Sequence, residues 1–339
     1  MININFFLIT IIINIFIVIF FKKITRIFNI QDSPDNKRKF QKKPIFLIGG
    51  TFLIINLSVI LIFNLFTEEN LFYNSFIVSN REYFAFIYGI ISFYIFGLYD
   101  DKYNLSPNIK LLISLFLIIF IIFIDSNLAV EQLNFSFLDN NIELRSFSYL
   151  FTILCFLLFV NALNMFDGIN LQAISYCILL FLIFIFKGIF VNFSGVIIIS
   201  LIFILYFNHQ NKIYLGESGI QILAFIISFI ILKSSKNDLN IFFADEIFIL
   251  MALPGLDMFR LFVMRLAYGK HPFKPDSTHL HHLLGKYYSS FNTFLFVFIY
   301  IVFSIFLYHL IKYKLFYLLI YILIYFCLIT FLISKLKNK

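Results

Sequence analysis

Apolar runs long enough to cross a lipid bilayer recur from one end of this 339-residue chain to the other. A transmembrane helix needs about 20 predominantly apolar residues. Breaking the sequence at its charge and turn clusters leaves such runs at 3–21, 45–66, 83–99, 111–125, 148–166, 171–187, 191–207, 219–233, 246–263, 289–310 and 315–334. Composition agrees, with 61% hydrophobic and 13% charged residues against roughly 45–50% and 25% in a soluble domain. The expectation is an all-α polytopic membrane protein of about eleven transmembrane helices, one domain over residues 1–339. The first run lacks a basic leader and is followed by Lys22 and Lys23 rather than small residues, so it reads as a permanent helix and not a cleaved signal. Cys155, Cys177 and Cys327 all lie inside apolar runs, where packing is their default role.

An odd number of spans puts the termini on opposite sides, and the Lys/Arg bias sets the orientation. Nineteen of the 26 Lys and Arg residues fall in one set of loops and the C-terminal tail, seven in the other set. The richer set, and the C-terminus, are expected in the cytoplasm, with the N-terminus outside. The net charge of +8 is accounted for by this asymmetry and by anionic lipid headgroups, so no nucleic-acid partner is required.

The unusual polar residues all belong to the cytoplasmic set. "GLYDDKYNLSPNIK" pairs Asp100 with Asp101 and follows them with Lys110. Adjacent acids favour a cation or proton between them, and the lysine suits an anionic group nearby; a solvated helix end is the plain alternative. In "NALNMFDGIN", Asn161, Asn164, Asp167 and Asn170 recur every three residues at the end of an apolar helix, which points to a cavity or an interhelical polar clamp. Glu217 in "YLGESG" precedes a helix, where it could cap that helix or coordinate a cation. Asp257 and Arg260, three apart, fit an intrahelical ion pair of structural rather than catalytic use. The last loop, "GKHPFKPDSTHLHHLLGKYY", sets His279, His281 and His282 beside Lys274, donors better suited to a diphosphate than to a metal.

Taken together these segments resemble the polyprenyl-phosphate N-acetylhexosamine-1-phosphate transferases and, more distantly, phospho-MurNAc-pentapeptide transferase. The resemblance runs from about Asp32 to Leu284. "DSPDNKRKFQKKPIFLIGG" looks like the family's first cytoplasmic loop, "GLYDDKYNLSP" like its Asp-Asp motif, and "NALNMFDGIN" like its N-x-x-N-x-x-D-G motif. "YLGESG" looks like M-G-D-x-G, and the segment from Pro254 to Leu284 like P-x-x-D-x-x-R with a closing H-x-H-H. Three departures stand out. Asn170, Leu171 and Gln172 occupy a region where the family often has a second acid and glycine. Glu217 replaces the metal-associated Asp, and the histidine that commonly ends the first-loop motif is missing near Phe40 or Gln41.

The resemblance implies a magnesium-dependent phosphotransferase, with Mn²⁺ as a substitute, in the bacterial inner membrane. It implies transfer of a sugar 1-phosphate from a UDP-sugar to undecaprenyl-type phosphate, releasing UMP and starting a cell-envelope polysaccharide such as O-antigen. Glu217 and one of Asp101 or Asp167 would hold the metal. Asp100 and Asp101 would position or deprotonate the lipid phosphate, with Asp167 also among the catalytic acids. Asn161, Asn164 and Asn170 would bind the nucleotide, and His279, His281, His282, Arg265 and Lys274 the diphosphate and sugar, with Lys110 at an anionic group. The ending "PDSTHLHHLL" resembles the hexosamine-phosphate branch rather than the peptidoglycan one. A transporter is the rival from another class, and a homodimer stays open.

Overall fold

The computed structural model describes residues 4–34, 44–65, 77, 79–234, 241–272 and 278–337. Each of the eleven apolar runs is a helix: α1 (Ile4–Ile19), α3 (Gly49–Leu65), α4 (Asn80–Tyr103), α5 (Pro107–Ile124), α6 (Ser148–Phe166), α7 (Gln172–Phe186), α8 (Val191–His209), α9 (Gly216–Ser234), α10 (Ala244–Ala267), α12 (Ser290–Leu310) and α13 (Lys314–Lys337). Among the described residues eight helices are long and apolar enough to cross a membrane. A ninth is added if α1 is joined to the short α2 (Phe21–Phe28), which bends away from it by 72°. The apolar stretches of α3 and α7 are shorter. Phe123 and Phe186 point outward with 82% and 87% of their surface open, as lipid-facing side chains do.

Strands are few. Ile45–Leu47 (β2) pairs antiparallel with Gln31–Asp32 (β1) and parallel with Ile213–Tyr214 (β5), while Gln132–Leu133 (β3) and Ile142–Glu143 (β4) form a separate antiparallel pair.

The chain divides into two compact units. The first comprises residues 1–106, 119–125 and 173–227, in which α1, α3 and α8 pack on one another. Lipid tails are as apolar as leucine, so helices associate through close backbone approach and polar contacts rather than through hydrophobic burial. Both devices are present. Asn14 of α1 and Asn56 of α3 are buried and exchange amide hydrogen bonds at 3.0 and 3.2 Å, contacts worth about 0.6–2 kcal/mol each in a membrane. Gly89 of α4 receives the Phe225 ring of α9, whose Cζ would stand 2.0 Å from a Cβ placed there.

The second unit comprises residues 107–118, 126–172 and 228–339. Here α10 packs against α6, α12 and α13. At the start of α10, buried Asp245 accepts from the Ser136 backbone N–H at 2.9 Å and from the Ser136 and Tyr308 hydroxyls at 2.5 Å, fastening the loop after β3. Tyr317, Tyr321 and Tyr325 of α13 recur every four residues and all three are buried, so one face of this otherwise apolar helix is hydroxyl-bearing.

Candidate active site

In the first unit the two acids of the Asp-Asp pair have separate tasks. Helix α4 continues through both to Tyr103, and both are buried, at 2% and 7% exposure; neither sits on a solvated helix end. Asp100 Oδ1 accepts the Leu105 N–H at 2.8 Å and so shapes the exit of α4, where Asn104 takes the left-handed conformation. Pro107 then opens α5 and places Lys110 in its first turn.

Asp101 turns toward α9. One of its oxygens accepts the Glu217 N–H at 2.8 Å and the other the Ser218 N–H at 3.0 Å. The first N–H groups of a helix have no partner within the helix, and a carboxylate there is also favoured by the helix dipole. The cap of α9 is therefore Asp101, 116 residues away in sequence, and not Glu217. Close backbone packing makes this reach feasible. A Cβ on Gly97, one turn before Asp101, would lie 2.4 Å from Ser218 Cα, and one on Gly50 would lie 2.4 Å from the Gly219 nitrogen. The glycine pair of the first-loop motif and Gly97 thus let α3 and α4 approach the start of α9. Gly216 adopts a positive φ of 74°, and a side chain there would also press on Asp101.

Glu217 is half-buried in the first turn of α9, near enough to Asp101 for their charges to interact. Among the described residues no three metal-ligating side chains converge. Magnesium keeps most of its shell as water and substrate phosphate oxygens and takes only one or two carboxylates from protein. Asp101 and Glu217 fit that demand, since a carboxylate has about four acceptor positions and Asp101 gives two of them to N–H groups.

In the second unit, α6 ends at Phe166 and Asp167 is its exposed C-cap. The acid is at the helix end, outside the apolar run. Asn161 donates back to the Leu157 carbonyl at 2.7 Å, Asn164 is half-buried on the same helix, and Asn170 follows in the turn, where Leu171 takes a positive φ of 72°. Gln172, in the region where the family often has a second acid and glycine, donates to the Phe166 carbonyl at 2.7 Å and satisfies one of the acceptors that end α6.

Gly168 is where two of the sequence motifs meet. A Cβ there would lie 1.9 Å from His281 Nε2, so the glycine leaves room for an imidazole. His281 belongs to α11 (Leu280–Gly285), is 3% exposed, and among the described residues its Nε2 has no hydrogen-bond partner. Burial, reinforced by the neighbouring His282 and His279, lowers its pKa to about 3, so the ring is neutral at physiological pH. His279 stacks on it at 5.5 Å, and His282 lies 4.3 Å away.

These histidines are carried by the Asp257–Arg260 pair, which does more than bridge one helix. Asp257 Oδ1 receives Arg260 Nη2 at 2.8 Å, and Oδ2 lies 2.8 Å from His279 Nδ1. The Leu280 N–H, at the start of α11, lies 3.2 and 3.3 Å from the two oxygens. Buried Arg265 donates to the Pro272 carbonyl at 2.7 Å, holding the loop backbone. Lys274 lies outside the described residues.

Residues 83–235, from α4 to the end of α9, match the family model "Glycosyl transferase family 4". Over that segment, a little under half of its length, the chain is similar to glycosyl transferase family 4. A Bacillus subtilis (strain 168) protein named "Probable undecaprenyl-phosphate N-acetylglucosaminyl 1-phosphate transferase" is 28% identical over 262 residues, covering 75% of this chain and 69% of the relative. The Escherichia coli O157:H7 and Salmonella typhi proteins named "Undecaprenyl-phosphate alpha-N-acetylglucosaminyl 1-phosphate transferase" are 24% and 22% identical. These matches cover 60% and 78% of this chain and 62% and 71% of those relatives. The family match contains Asp100, Asp101, the N-x-x-N-x-x-D-G segment and Glu217; the histidine cluster lies beyond it.

Proposed function

We propose that this protein transfers an N-acetylhexosamine 1-phosphate from a UDP-sugar to an undecaprenyl-type phosphate in the bacterial inner membrane. An oxygen of the lipid phosphate bonds to the sugar-bearing phosphorus as the bond from that phosphorus to the UMP oxygen breaks. The products are UMP and a polyprenyl diphosphate sugar, the first lipid-linked unit of an envelope polysaccharide.

The observation that carries this reading is Asp101, buried and fixed by two backbone donors beside Glu217 within the family-matched segment. Both reactants are anionic, so charge repulsion dominates the barrier and positioning with electrostatic neutralisation supplies most of the catalysis. Magnesium bound to Asp101 and Glu217 would neutralise phosphate oxygens there. Asp100 sets the turn leading to α5, where the Lys110 ammonium would serve an anionic group. Asn161, Asn164 and Asn170 would bind the nucleotide, with Asp167 among the catalytic acids. His281, neutral and with an unpartnered Nε2 buried against Gly168, would give a hydrogen bond to a diphosphate oxygen that reaches it, alongside His279 and His282. Arg265 serves by holding the Pro272 carbonyl, and Lys274 would bind the diphosphate and sugar. The C-terminus and the loops bearing these residues face the cytoplasm, where UDP-sugars are made.

Purified protein incubated with undecaprenyl phosphate, Mg²⁺ and a panel of labelled UDP-sugars, UDP-MurNAc-pentapeptide included, should release UMP only when the lipid is present. The product mass names the sugar. Asp101→Ala and His281→Ala should abolish release in protein that still purifies as a monodisperse species. Lipid-independent behaviour, or full turnover in both variants, removes the assignment.

A further inference from the structure

Tyr325 lies beyond both the family match and the motifs of the resemblance, yet it closes the hydrogen-bond network beneath the histidines. It is fully buried on α13. Its hydroxyl donates to Asp257 Oδ1 at 2.8 Å and accepts from Arg260 Nε at 3.0 Å. Arg260 Nη2 reaches the same Asp257 oxygen at 2.8 Å and the Thr278 carbonyl at 2.7 Å. Hydroxyl, guanidinium and carboxylate thus form a closed triangle between α10 and α13.

Asp257 is saturated by this arrangement. A carboxylate offers about four acceptor positions, and Tyr325, Arg260, His279 and the Leu280 N–H occupy them. No position is left for a metal or a substrate donor. An ionised carboxylate only accepts, so His279 Nδ1 carries the proton in this pair, and its Nε2 is the nitrogen turned to other groups.

We propose that Tyr325 is a positioning residue. It locks the rotamers of Asp257 and Arg260, and through Asp257 it sets the orientation of His279 and the start of α11, the helix that carries His281. A packing role alone would be served by phenylalanine. The hydroxyl is required because Arg260 Nε, buried at this point, has it as its acceptor, and without it the guanidinium must turn away from Asp257 to find another. The kinetic half of this proposal rests on the transfer reaction proposed above; the structural half does not.

The test uses the full-length protein in lipid nanodiscs, comparing wild type with Tyr325→Phe, Asp257→Asn and the double variant. Hydrogen exchange read by mass spectrometry should be about tenfold faster at residues 278–285 in Tyr325→Phe, with α6 unchanged. Lipid-dependent UMP release should show kcat for the UDP-sugar lowered about tenfold with KM little altered, because the substrate still binds but its phosphates are misaligned. If Tyr325 acts through Asp257, the double variant is no slower than Asp257→Asn alone; additive losses mean separate packing roles and overturn the proposal. Should Asp257→Asn fail to accumulate, Arg260→Lys takes its place in the cycle. Wild-type exchange at 278–285 in Tyr325→Phe also overturns the proposal. Absence of UMP release from wild-type protein counts against the transfer reaction only, and the exchange result then decides Tyr325 by itself.

Discussion

A single methyl group tests whether the position of His281 matters. A Cβ on Gly168 would stand 1.9 Å from His281 Nε2, 2.5 Å from Cε1 and 2.8 Å from Cδ2. Ordinary contact begins at 3.4 Å, so in Gly168→Ala the buried imidazole must retreat by about 1.5 Å. The ring has little freedom to tilt, because His282 lies 4.3 Å away, His279 stacks at 5.5 Å, and Leu280, Leu283 and Leu284 are buried around it. Overpacking of this size costs about 1–3 kcal/mol, which leaves a folded protein with a lowered melting temperature. Its effect on turnover is larger, since a 1 Å displacement of a positioned group costs on the order of 100-fold. Lipid-dependent UMP release from Gly168→Ala should therefore fall about 100-fold while size-exclusion behaviour is kept. His281→Ala should fall as far. The double variant should be no worse than His281→Ala, because the lost imidazole makes space for the methyl group. Gly168→Ala turning over within about twofold of wild type, with His281→Ala inactive, would refute the reasoning: the ring would then be needed but not held where it is.

Two further outcomes follow from the same geometry. In Asp101→Asn the amide accepts through one oxygen only, so either the Glu217 or the Ser218 N–H faces an NH₂ group; stability should fall by about 1.5–3 kcal/mol and transfer should stop, and an unchanged melting curve would show that Asp101 does not cap α9. His281 has a folded-state pKa of about 3 against about 6.5 for an unfolded chain, so the unfolded state binds the extra proton as pH falls, and the stability its neutral form contributes is full above about 6.5 and lost progressively toward 3. Wild-type protein should lose more melting temperature between pH 7.5 and pH 5 than His281→Asn does; equal losses would mean the ring is not buried.

Helix positions were legible because the solvent for this chain is a bilayer, and a bilayer demands unbroken apolar runs. Even the junction between α7 and α8, with only "KGIFVNFSG" between its apolar runs, resolves into two helices, the second starting one residue after Phe190 takes a left-handed conformation. The chemistry-bearing motifs were legible too, as polar residues that an apolar run does not tolerate without a reason. What each residue holds was not, because the partners are remote in sequence. Two adjacent aspartates cannot be told apart by reading them, yet one closes its own turn five residues on and the other caps a helix 116 residues away. Asp257 and Arg260 read as a local pair because they are three apart, and the contacts that change their meaning come from 22, 23 and 68 residues further along. Tyr325 did leave a trace. Three tyrosines at four-residue spacing on a lipid-bound helix put three hydroxyls on one face, and a buried hydroxyl in a membrane needs a partner. Periodicity of polar atoms within apolar helices, rather than charge alone, is thus the signal that would have pointed to the last helix, and it is available only once the helix has been recognised as a helix.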